Sequence, residues 1–139
     1  MNEQELARIR KLPDYISGNQ LRVEFKQLIN TAKYVQGKKR KLNLLEAYSE
    51  LSDRQWHTYH KLDLDLLRVI DSNLITLWDR DSLESTELVT SIVGALGLQN
   101  TYETIKKSLV AKLPQDVEQE ILETIKEFGD DITNPYINK

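Results

Sequence analysis

The chain has 139 residues with 19 Lys and Arg against 22 Asp and Glu, a formal charge of −3. That length suits one domain spanning 1–139, large enough to bury a core unaided. Cysteine is absent, which excludes a disulfide framework, a thiolate metal site and a cysteine nucleophile. The charge is unevenly spread: residues 1–61 carry +5 and residues 62–139 carry −8. An acidic half disfavours phosphate backbones and favours basic protein partners.

Strong helix formers dominate, and no window alternates apolar and polar residues as a half-buried strand would. The expected class is all-α, with seven to eight helices. A first short helix runs from Asn2 to about Lys11, with Leu6 and Ile9 inward, and ends at Leu12-Pro13. Asn19 is the expected cap of the next helix, Gln20 to Gln36, which buries Leu21, Phe25, Leu28, Ile29 and Ala32. Gly37 is its expected stop.

The run Gly37-Lys-Lys-Arg-Lys41 is the densest basic stretch and reads as a solvated turn. Lys41 to Leu51 follows as a helix through Leu45 and Tyr48. Ser52-Asp-Arg-Gln55 has the pattern of a capping box, so a new helix is expected through Trp56 and Tyr59 to about Leu62. Asp63 is the expected cap of a long helix, Leu64 to Trp78. Its apolar residues fall on most sides, the mark of a central helix, here the spine of the fold.

Asp79 to Glu84 is a connecting turn. A helix then runs from Ser85 to Gly97, with Leu88, Val89, Ile92, Val93 and Leu96 on one stripe and Gly97 as a left-handed stop closed by Leu98. Asn100-Thr-Tyr-Glu103 reads as another capping box, opening a helix that buries Ile105, Leu109 and Leu113 and ends before Pro114. The last helix, Val117 to Gly129, turns Val117, Ile121, Ile125 and Phe128 inward. An extended tail with Ile132 or Tyr136 docked on it is expected to follow.

The last helix repeats the one ending at Gly97 at an offset of 32 residues. Val89 pairs with Ile121, Val93 with Ile125, Leu96 with Phe128, Leu77 with Leu109 and Trp78 with Val110. Periods of this size mark helical solenoids. Gly94-Ala-Leu-Gly97 and the stretch from Asp116 to Asp130 resemble the second helices of HEAT-type repeats, over about residues 64–131. That resemblance implies an α-α superhelix of stacked helical hairpins whose second helices line a gripping surface. The first 62 residues are expected to be irregular helical hairpins.

Little points to catalysis. His57 and His60 stand three apart, as two metal ligands on a helix would, with Asp53, Asp63 and Asp65 nearby. Asp63 and Asp65 are expected past a helix boundary and pointing elsewhere, so no third ligand is fixed and no metal or cofactor is expected. Asp79 with Asp81, and Asp130 with Asp131, are adjacent pairs expected on wet turns, where burial does not set up acid–base work. Glycine-rich phosphate loops and nucleophile elbows are absent. The amino terminus lacks a signal peptide's apolar run, and no stretch has the apolar length of a membrane span, so a cytoplasmic protein is expected.

In size, helical build and acidity the chain resembles bacterial immunity proteins. That resemblance implies a non-catalytic inhibitor that neutralises a basic toxin, such as a nuclease, by direct binding. Its expected contact residues are Asp79, Asp81, Glu84, Glu87, Glu120, Glu123 and Glu127, with Trp56 as the exposed aromatic and Trp78 in the core. The alternative is a nucleic-acid-associated helical adaptor using Lys38, Lys39, Arg40 and Lys41, a reading that a single short basic run without aromatics argues against.

Overall fold

A computed structural model describes residues 1–133, and among them every regular element is helical. The seven helices are α1 (Glu3–Arg10), α2 (Gly18–Ala32), α3 (Lys38–Trp56), α4 (Leu64–Leu77), α5 (Leu83–Leu96), α6 (Gln99–Lys107) and α7 (Gln115–Phe128). A single 3₁₀ turn, Ser108–Val110, extends α6. Tyr136 lies outside the described residues, whereas Ile132 is buried against the core.

Each helix hides one stripe, as its apolar spacing requires. α1 buries Leu6 and Ile9, α2 buries Leu21, Phe25 and Leu28, and α7 buries Val117 and Ile121. The helices pack in two rows. α3, α5 and α7 follow one another in contact, and α2, α4 and α6 follow one another beside them, with α1 laid against α3. The 32-residue offset reaches the helix bounds, since α5 spans 83–96 and α7 spans 115–128. It does not hold at every side chain. Trp78 is buried and gives its indole N–H to Thr86 Oγ1, whereas Val110 at the matching place is 97% exposed.

Several local expectations are corrected. Ser52-Asp-Arg-Gln55 opens no helix: α3 runs through it unbroken for 19 residues and stops at Trp56. Tyr59 then takes a left-handed φ of 61°, so the expected helix to Leu62 is a loop. Local capping patterns lose here to the packing of α3 against α1, α2, α4 and α5, which buries Leu44, Leu45, Tyr48 and Leu51. The spine is therefore α3, not α4. α4 turns Ile70, Leu74 and Leu77 inward but leaves Leu64 and Val69 exposed.

The caps also differ. Ser17, not Asn19, caps α2 by accepting from Gln20 N at 3.1 Å. That helix ends at Ala32, and Gly37, with φ 87°, instead leads into α3. Asp63 stands at the start of α4, but its carboxylate pairs with Arg22 at 2.8 Å. α6 does not use an Asn100–Glu103 box either. Asp71 of α4, nearly buried, accepts from Asn100 N at 3.1 Å and Thr101 N at 2.7 Å. A carboxylate from a neighbouring helix thus supplies the cap that α6 lacks in its own sequence. The expected closure of α5 holds: Gly97 has φ 73°, and the amides of Gly97 and Leu98 both donate to Val93 O.

Two further ties fix the first half. Arg8 forks onto Glu24 at 2.7 and 2.9 Å, holding that carboxyl below the usual range and joining α1 to α2. Tyr48, pushed up to about 12 by burial, accepts from Asn73 Nδ2 at 3.1 Å and joins α3 to α4.

Candidate functional site

The outward side of the α3–α5–α7 row is concave. It forms an open groove of about 720 Å³. Each helix contributes residues three, four and seven apart, which share one side of a helix. α3 presents Ser49, Glu50, Ser52, Asp53 and Trp56, and α5 presents Glu87, Thr90, Ser91, Gly94 and Ala95. α7 presents Glu120, Thr124, Glu127 and Phe128, and the chain then passes Asp131 and Ile132 along the same groove.

Small side chains on α5 let α7 come close. A Cβ built on Gly94 would lie 2.5 Å from Phe128 Cζ, so any larger residue there would have to displace that ring. Phe128 also meets Tyr102 edge-on, with centroids 6.3 Å apart. Tyr102 in turn donates its hydroxyl to Gly129 O, holding the end of α7 in place.

Six lining residues are carboxylates, and none of the described lining residues is Lys, Arg or His. Glu50 is engaged by Arg54 at 3.0 Å, and Asp131 by Thr133 N at 2.9 Å. The Thr133 hydrogen bonds hold the Asp131 carboxyl below the usual range. Glu120 behaves oppositely. Burial first, then the charge of Glu87, with smaller pushes from Glu123 and Glu127, drives its carboxyl above the usual range. Acids crowded over a concave, partly dried surface create the negative potential that draws and orients a cation.

This crowding predicts a measurable strain. Glu120→Gln should raise the stability of the free protein at pH 7 by on the order of 0.5 kcal/mol, the scale of like-charge repulsion on helices. Because the folded-state pKa is raised, the strain is absent below the ordinary Glu pKa and complete above the raised one. The gain from Gln should therefore vanish at pH values below the ordinary range, as thermal melts across pH will show.

Of the expected contact residues, the groove brings together Glu87, Glu120 and Glu127. Glu123 stands beside it, exposed and bonded by Gln119 at 3.1 Å. Asp79, Asp81 and Glu84 lie elsewhere, at the α4–α5 turn, where Asp79 Oδ1 accepts from Asp81 N at 3.0 Å. Glu50, Asp53 and Asp131 were missed. For the first two the signal is present: Glu50, Asp53 and Trp56 are spaced by three on one side of α3, a pattern hidden when the helix is cut at Ser52.

The remaining candidates are dispersed. α3 ends before His57 and His60, so the two do not share a helical side, and His57 Nδ1 lies 2.8 Å from Asp53 O. Among the described residues, no group of three or more His, Cys, Asp or Glu is placed to hold a metal ion. Lys38 to Lys41 form the first turn of α3, with Lys39 3.6 Å from Glu3. Among the described residues, no helix is long and apolar enough to cross a membrane. Comparisons with protein-family patterns, curated proteins and solved structures found no significant match to this chain.

Proposed function

We propose that this chain is a non-catalytic protein-binding module whose α3–α5–α7 groove receives a basic segment of another protein. The observation that carries the reading is the lining itself: six carboxylates around one concave surface, with no cation among the described lining residues. Charge of one sign on a walled surface speeds and orients docking, while the half-buried Trp56 and Phe128 offer apolar area for affinity. The stacked order of α3, α5 and α7, and the 32-residue spacing of the last two, support a HEAT-like gripping row. Together with the likeness in build to immunity proteins, this favours an inhibitor that occludes the cationic cleft of a toxin, acting in the cytoplasm.

The test is a titration with a Lys- and Arg-rich peptide at low and high salt. Affinity should fall with salt, and Glu87→Lys with Glu120→Lys should weaken binding by about 100-fold, some 2.7 kcal/mol. Glu123→Lys, outside the groove lining, should cost much less. Binding untouched by the double reversal would remove the groove from the function. Tight binding of a DNA or RNA duplex instead, lost on Lys38→Glu with Lys41→Glu, would favour the nucleic-acid reading.

A further inference from the structure

The groove wall holds more hydrogen-bond acceptors than donors, and two of its oxygens are poorly served. Thr90 Oγ1 has one proton and two acceptors: Glu87 O at 3.1 Å and Glu120 Oε1 at 3.4 Å. Glu120 receives the longer, weaker share. Across the groove, Ser52 is 1% exposed, yet its Oγ has no hydrogen-bond partner among the described residues. An unpaired buried hydroxyl is costly, and its presence in the lining of an acidic groove points to a donor that arrives from outside.

We propose that the groove seats an arginine side chain, held by the carboxylates of Glu87 and Glu120 and the hydroxyl of Ser52, so that arginine rather than lysine anchors the bound segment. The inference rests on the binding reading above. The chemistry separates the two cations. Guanidinium carries five N–H donors in a flat fork, enough to serve two carboxylates and a hydroxyl together. An ammonium carries three on a compact, strongly hydrated centre and loses more on entering a partly dried site. Trp56, also in the lining, offers the indole surface on which a guanidinium packs.

Two capped heptapeptides test this, Lys-Lys-Gly-Arg-Gly-Lys-Lys and the same peptide with Lys at its centre, titrated by calorimetry at low salt. The arginine peptide should bind the wild-type chain about 10-fold more tightly, equivalent to about 1.4 kcal/mol. That preference should shrink to about 2-fold or less in Glu120→Gln and in Ser52→Ala, the scale of a lost charge-assisted or neutral hydrogen bond. Melting curves establish that both variants fold. Equal affinity for the two peptides, or a preference that survives either substitution, overturns the arginine seat. If the peptides bind equally but Glu87→Lys with Glu120→Lys abolishes both, the groove remains a basic-segment site and only the seat falls. If neither peptide binds, the binding reading itself falls.

Discussion

Replacing Arg54 by Ala should cost about 3–4 kcal/mol of stability, on the scale of breaking a buried charged network. At this chain length that is a fall in melting temperature of about 10 °C. The side chain is 4% exposed and serves the carbonyls of Leu12 and Pro13, which no helix satisfies. Its Nε donates to Pro13 O at 2.9 Å, one Nη to Leu12 O at 2.8 Å, and the other to Glu50 O at 2.8 Å and Glu50 Oε2 at 3.0 Å. Leu12 and Pro13 lie just past α1, so one guanidinium closes the end of α1 and pins it to α3. Lysine, with a single point of donation, should recover little of the loss. A melt within about 2 °C of wild type, well inside the expected shift, would show that water or a backbone shift replaces these bonds. Glu50 loses its partner in Arg54→Ala, so the groove becomes no less acidic and peptide binding by the folded fraction should persist.

Asp71→Ala should cost about 2–3 kcal/mol and act mainly on α6. Asp71 receives the amides of Asn100 and Thr101, and Thr101 Oγ1 lies 2.5 Å from Oδ1. Alanine leaves the Thr101 amide buried without an acceptor and removes an anion from the positive end of a helix. Asn, which keeps one oxygen, should retain part of the stability. Hydrogen exchange separates this from a global effect: the amides of Asn100 and Thr101 should lose more protection than those of α2. Uniform loss across the chain would mean that α6 does not open as a unit.

These two residues also show where sequence reading stops. Helix stripes such as Val89–Ile92–Val93–Leu96 and the Gly97 closure are local, written within four residues, and the structure keeps them. Asp71 and Arg54 act across 30 and about 40 residues, and nothing in their immediate neighbours announces it. Ser52-Asp-Arg-Gln55 misleads for the same reason. It matches a cap in isolation, but Arg54 is held by the end of α1 and the segment lies inside a longer helix, with Ser52, Arg54 and Gln55 buried. Cutting α3 there also hides the groove face of Glu50 and Asp53. Glu87, Glu120 and Glu127 are legible from the repeat, and Glu50 and Asp53 from their spacing once α3 is kept whole, whereas Asp131 needs the three-dimensional row of α3, α5 and α7. The cluster at Asp79, Asp81 and Glu84 is as acidic in sequence but sits on a separate turn.

The most direct measurement is an amide-by-amide NMR titration of the labelled chain with the arginine-containing heptapeptide. Shifts should concentrate on α3 from Ser49 to Trp56, on α5 from Glu87 to Ala95 and on α7 from Glu120 to Phe128, and should fade as salt is raised. Shifts centred instead on the first turn of α3 or on the exposed side of α4 at Leu64 and Val69 would contradict the account.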